Sequence, residues 1–146
     1  MSTQTAVKPS LTLKRRLKAP LEKVFAAWID PEKVMRWMGP GEGKPLSAEC
    51  DARVGGRYRW VMQDTAGEVH DVRGVYREIV PNEKLVFTWA WKSTLERESL
   101  VTVLLKPDGD STLLTVTHEQ FFDEEARDRH RQGWIGALDK MDKFLS

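Results

Sequence analysis

The C-terminal stretch from Asp123 to Leu145, DEEARDRHRQGWIGALDKMDKFL, is the one long segment with a sustained helical period, and it constrains the fold most. An α-helix brings residues three and four apart onto one side, so Arg127, His130, Trp134, Leu138, Met141 and Leu145 share a face. Asp128, Gln132, Asp139, Lys140 and Lys143 fall elsewhere and are expected to face water. Asp123 suits the N-cap, Glu124 and Glu125 the positive end of the helix dipole, and Lys140 and Lys143 the negative end. The inward face is apolar from Trp134 onward, but Arg127, His130 and Arg131 precede it. Such a helix over a sheet either closes a cavity or caps a core. Gly133 and Gly136 each cost about 1 kcal/mol relative to Ala, which points to close backbone approach or a kink.

From Leu46 to Glu119 the period changes to two, with breaks at Gly55-Gly56, Asp64–Gly67, Pro81–Glu83, Lys92–Thr94 and Pro107–Asp110. The strands expected between them are 46–54, 57–63, 69–80, 84–92, 97–106 and 111–119. Short links make consecutive strands antiparallel neighbours, which is a meander. Alternation turns Tyr58, Trp60 and Met62 inward, with Leu85, Phe87, Trp89 and Trp91. Val101, Val103 and Leu105 share a face with Ser99, and Leu114 and Val116 share one with His118. Both phases of 69–80 are apolar, with Val72, Gly74 and Tyr76 favoured as inward. Before the meander, Leu11 to Ala19 reads as a first strand. Pro20 opens a helix through Trp28, and Asp30 caps a second helix carrying Val34, Trp37 and Met38.

Residues 1–10 read as a flexible tail and 11–146 as a single domain. The 23 Lys and Arg nearly cancel the 22 Asp and Glu, so there is no charge footprint for nucleic acid. One cysteine, Cys50, excludes an internal disulfide. With no signal-like or membrane-spanning apolar run, a cytoplasmic location and no membrane insertion are expected.

No catalytic motif stands out. Gly39 to Gly43 follows a helix and leads into a strand, the reverse of a phosphate loop. His70, His118 and His130 lack metal-ligand spacing, so neither metal nor cofactor is expected. His118, on the aromatic side of the sheet, is either a hydrogen-bonded strand-end histidine or a polar anchor in a cavity. Six Trp and few Ile make a pocket a better reading than a solid aliphatic core.

The segments VFAAWIDPEKVMRWMGP (24–40), VGGRYRWVM (54–62), GVYREIVPNEKLVFTW (74–89), ESLVTVLL (98–105), LLTVTHEQF (113–121) and RDRHRQGWIGALDKM (127–141) together resemble one family. These are the homologues of the activator of the heat-shock (Hsp) chaperone ATPase, within the START-like (SRPBCC) superfamily. The resemblance implies an α+β helix-grip fold: a six- or seven-stranded curved antiparallel sheet, two short helices and a long C-terminal helix across it. It also implies an apolar cavity between sheet and helix, while superfamily relatives range from lipid carriers to cyclases and hydrolases.

The reading that follows is a protein that binds an apolar or amphipathic small molecule without catalysis. Its expected wall is Trp37, Met38, Tyr58, Trp60, Met62, Tyr76, Phe87, Trp89, Val101, Val103, Val116, Trp134 and Leu138, with His118 and His130 as polar contacts. A chaperone cofactor or stress-response interaction module is the second reading. A cyclase- or hydrolase-like enzyme using His118 as general base is the third. A monomer or a homodimer fits each of them.

Overall fold

In the computed structural model, which describes residues 8–39 and 42–146, seven strands form one antiparallel sheet in the order β1-β7-β6-β5-β4-β3-β2. The strands are β1 (Leu11–Leu17), β2 (Lys44–Cys50), β3 (Arg57–Gln63), β4 (Val69–Val80), β5 (Lys84–Trp91), β6 (Ser99–Asp108) and β7 (Ser111–Glu119). Helices α1 (Leu21–Ile29) and α2 (Pro31–Trp37) join β1 to β2, and α3 (Glu124–Leu145) ends the chain. β2 to β7 are the expected meander. β1 adds to its far edge, with Leu11 opposite His118 and Leu17 opposite Thr112. This is the helix-grip arrangement. Most of the expected tail, residues 1–7, lies outside the described residues, as do residues 40 and 41 of the glycine-rich loop. Within that tail Pro9 is already tied to the fold, its carbonyl accepting from Phe121 N at 3.1 Å.

Element ends follow local chemistry. Asp30 closes α1, its N–H donating to Ala26 O, and its carboxylate accepts from Glu32 N at 3.0 Å to start α2, with Pro31 in the first turn. Pro20 sits at the cap of α1, one residue earlier than the pattern implies. Asp123 caps α3 as expected, accepting from Ala126 N at 2.8 Å. Strand ends shift by a few residues. β2 stops at Cys50, because residues 51–56 turn instead and lend Gly55 N and Gly56 O to Tyr76 of β4. β5 gives way at Lys92 to a 3-10 turn through Thr94, which delays β6 to Ser99.

Two expectations about α3 change. Lys140 does not simply face water: its ammonium donates to Gly39 O at 2.8 Å and Gly43 O at 3.3 Å, tethering the loop after α2. Burial holds its pKa below the usual lysine value. Gly133 makes no close approach to the sheet, since a Cβ there would meet no atom within 4 Å. Close approach occurs at Gly74 instead, where a Cβ would lie 2.0 Å from Thr88 O.

The strand alternation holds. Tyr58, Trp60, Met62, Val72, Tyr76, Phe87, Trp89, Val101, Val103, Val116 and His118 are all buried. α3 covers them with Trp134, Ala137, Leu138, Met141 and Leu145. The aromatic filling is concentrated under α1 and α2. Trp28 and Trp37 meet edge-on at 4.7 Å, Trp37 reaches Trp60 at 6.1 Å, and Trp60 reaches Phe87 at 5.9 Å. Such edge-to-face clusters pack densely, and this half of the grip is solid.

Candidate functional site

The other half is hollow. A cavity of about 490 Å³ opens between the sheet and the first turns of α3. Met62, Trp89, Trp91 and Ser99 form its sheet side, and Met38 and Gly39 its end beside α2. Ala126, Arg129, His130, Gly133, Trp134 and Ala137 form its helix side. Ser93, Thr94 and Arg97 from the β5–β6 connection, Phe121 and Phe122 from the β7–α3 turn, and Glu68 and His70 from the start of β4 complete it. On α3 the lining residues step by three and four, so they make one helical stripe. Three of them are Ala or Gly, and their small size leaves the space.

Of the residues expected in the wall, Met38, Met62, Trp89, His130 and Trp134 line the cavity. His118 lies directly behind it, bonded to Trp134 and Ser99. Trp37, Tyr58, Trp60, Tyr76, Phe87, Val101, Val103, Val116 and Leu138 belong instead to the packed core that supports the wall. Strand parity places these side chains on the inner face but cannot tell a filled stretch of that face from an empty one. Trp91, Arg97, Phe121, Phe122, Arg129 and Gly133 were missed. All but Trp91 lie in connections or at small or charged helix positions, where a search for apolar periodicity does not look.

Each interior histidine has its neutral tautomer set by its hydrogen bonds. Trp134 Nε1 donates to His118 Nδ1 at 3.0 Å, and an indole nitrogen can only donate. The proton of His118 is therefore on Nε2, which donates to Ser99 Oγ at 2.7 Å, and Ser99 passes its own hydroxyl proton to Trp89 O at 3.2 Å. His130 repeats the device in mirror tautomer: its Nδ1 donates to Ala126 O at 2.7 Å while Nε2 accepts from Trp91 Nε1 at 2.9 Å. Burial pushes His118 well below the usual histidine pKa, and the neighbouring His130 adds to this. Burial also lowers His130, with the Arg129 charge acting in the same direction and the Ala126 carbonyl against it. Each ring's only lone pair is occupied by an indole N–H. In this geometry neither can take a proton from a ligand.

The remaining reactive groups are similarly engaged. Cys50 accepts from Trp60 Nε1 at 3.5 Å, and burial raises its pKa, so it is a poor nucleophile. Asp64, Glu68 and His70 bring three ligand-type atoms within 4.8 Å of one another at the edge of the cavity. Asp64 is already engaged: it accepts from Ala66 N and Glu68 N at 2.9 Å each, and its other oxygen meets His70 Nε2 at 2.9 Å. That pairing holds the Asp64 carboxyl below its usual pKa. Among the described residues no helix is long and apolar enough to cross a membrane.

The family model for Activator of Hsp90 ATPase homolog 1-like protein matches residues 18–146. Solved structures agree over nearly the whole chain. A Chromobacterium violaceum protein shares 29% identity with TM-score 0.85, covering 93% of this chain and 96% of its own. The AHSA1 protein of Silicibacter pomeroyi shares 29% with TM-score 0.83, covering 94% and 97%. An uncharacterised Rhizobium leguminosarum protein shares 33% with TM-score 0.77, covering 94% and 93%. Comparison with curated proteins gives no match.

Proposed function

The chain belongs to the family of Activator of Hsp90 ATPase homolog 1-like proteins, and on that premise we propose that it binds an apolar or amphipathic small molecule between sheet and α3 without transforming it. The observation that carries this reading is the hollow itself. A cavity of about 490 Å³ is within the range of roughly 300–1,000 Å³ that holds small ligands. Its interior is aromatic and apolar; His118 and His130 are saturated by protein donors and acceptors, and the Trp89 indole N–H is a buried donor in the wall without a protein partner among the described residues. A ligand there would be held by removal of apolar surface from water, at about 25 cal/mol per Å². Binding without chemistry fits an interior whose two histidines are both engaged.

Two measurements test it. Native mass spectrometry of freshly purified protein should find a retained small molecule or an empty chain that accepts one. Titration of the empty chain with N-phenyl-1-naphthylamine, a neutral apolar fluorophore, should then give saturable one-to-one binding with quenching of tryptophan emission. Linear, unsaturable uptake would mean surface adhesion and would refute the reading. The family's description supports a second reading, a module that acts on a chaperone through its surface. It takes first place if the empty chain binds no apolar probe.

A further inference from the structure

We propose that the cavity is selective for amphiphiles with an anionic head group, which Arg97 and Arg129 receive at its mouth while the apolar body lies inside. This rests on the small-molecule reading above and adds to it the polarity and orientation of the ligand.

Polarity within the cavity is segregated. Buried Met62, Trp89, Phe121 and Trp134 form the interior, whereas Arg97, Arg129 and Glu68 are exposed at the rim. A charged head group is disfavoured inward: both histidines are committed, and the unpartnered Trp89 indole N–H is a single neutral donor, too little to offset the desolvation of a charge. It must remain at the rim, so the cavity imposes head-out orientation.

The sign of the head group follows from the two arginines. Arg15, Arg16, Arg53, Arg59, Arg73, Arg77 and Arg127 each have a carboxylate partner. Arg36, Arg57, Arg97, Arg129 and Arg131 have no ion pair or side-chain hydrogen bond among the described residues, and of these Arg97 and Arg129 line the cavity. Arg97 is also prepositioned: its guanidinium carbon lies 3.8 Å from the ring centroid of Phe122, which is itself 57% exposed. Stacking uses the face of a guanidinium and leaves its N–H edge free, the geometry that suits a carboxylate or phosphate. The hydroxyls of Ser93 and Thr94 line the same side and can add donors. The opposing acidic groups are on the β3–β4 turn. There Asp64, hydrogen-bonded by His70 and two backbone N–H groups, lies outside the lining, which leaves Glu68 as the single carboxylate among the described lining residues. Two cations against one anion in the lining favour a bound anion.

The test is displacement of N-phenyl-1-naphthylamine by four eight-carbon probes: octanoate, octyl phosphate, 1-octanol and octylammonium. Octanoate or octyl phosphate should bind about tenfold tighter than 1-octanol, as one charge-assisted contact implies, with octylammonium weakest. Which of the two anions leads distinguishes a carboxylate from a phosphate ligand. Within the Arg97→Gln/Arg129→Gln double variant, both anions should fall to the affinity that 1-octanol has for that same variant. Added salt should narrow the difference in the wild type only. Equal affinity for 1-octanol and both anions, or a preference that survives in the double variant, overturns the head-group assignment while the cavity reading stands. Failure of the fluorophore and of 1-octanol to bind removes the cavity reading and this proposal with it.

Discussion

Substituting Gly133 separates the cavity from the stability of the fold, two properties that mutations usually damage together. Gly133 sits within α3, lines the cavity, and has nothing within 4 Å of where a Cβ would be. Glycine inside a helix costs about 1 kcal/mol relative to alanine. With space available and helical geometry already in place, Gly133→Ala should recover most of that. For a domain of this size, that raises Tm by about 2–4 °C. Gly133→Leu keeps nearly the same helix propensity and sends three further carbons into the hollow. Each buried methylene adds about 0.8 kcal/mol, so the leucine variant should be at least as stable as wild type while it occupies the ligand's place.

The assay pairs urea denaturation with fluorophore titration. Gly133→Leu is expected to weaken N-phenyl-1-naphthylamine binding more than tenfold at equal or higher stability. Gln132→Leu, which adds the same side chain at an exposed neighbouring position, should leave binding intact. A Gly133→Leu protein destabilised by more than about 1 kcal/mol would show that overpacking outweighs the gain and that the space is not there. A stable variant with unchanged affinity would show that the probe binds elsewhere.

Three further expectations follow from the same geometry. His118→Ala removes the acceptor of Trp134 Nε1 and the partner of Ser99 inside a fully buried site. It should cost about 2–4 kcal/mol in urea denaturation. Gly74→Ala forces a Cβ to 2.0 Å from the Thr88 carbonyl and 2.7 Å from the Tyr58 ring, and a loss of about 3 kcal/mol in the same assay is expected from overpacking. The third is pH-dependent. His118 and His130 have folded-state pKa values below the unfolded value of about 6.5, so the unfolded chain binds more protons between the two. Stability should be intact above about pH 6.5, fall as pH drops below it, and level off once the folded histidines titrate. Flat stability from pH 7 to 5 would contradict the two indole–imidazole locks.

Strand parity was legible because a period of two leaves little choice once one face is aromatic. Trp60, Phe87, Trp89, Val101 and His118 are all on the inner face that alternation assigns them. The cavity was not legible for the same reason: parity says which side a residue faces, not whether that side is filled. Its outline depends on absences along α3. Ala126, Gly133 and Ala137 stand beside Trp134 on a stripe that a search for large apolar residues rotates past, toward Arg127 and Leu138. Arg127 itself turns away to pair with Asp128 at 3.0 Å, and Arg129 takes the cavity side. The rim residues Ser93, Thr94, Arg97 and Phe122 lie in connections, where no period exists. Trp91 was correctly turned inward, but its bond to His130 crosses from β5 to α3, a pairing that depends on how the helix lies over the sheet.

A hollow between a helix and an aromatic sheet raises the question of what keeps it from collapsing, since closing it would bury further apolar surface. The two indole–imidazole bonds supply a physical answer. Trp91 and His130 join β5 to α3, and Trp134 and His118 join α3 to β7, so the struts run in both directions across the cavity edge. Apolar contacts alone would let α3 slide or roll toward the sheet, because dispersion is nearly indifferent to direction. A hydrogen bond to a ring nitrogen has a preferred length and line, and a buried indole N–H deprived of its acceptor costs about 1–3 kcal/mol. Any inward movement of the helix that broke both bonds would forfeit that twice. The solid aromatic cluster under α1 and α2 holds the other half of α3 through Trp28, whose ring lies 5.8 Å from Trp134. Trp134 is therefore gripped between the filled and the empty half. The two histidines thus tie α3 to β5 and β7 by bonds with a preferred length and line, where an apolar side chain would offer contact alone.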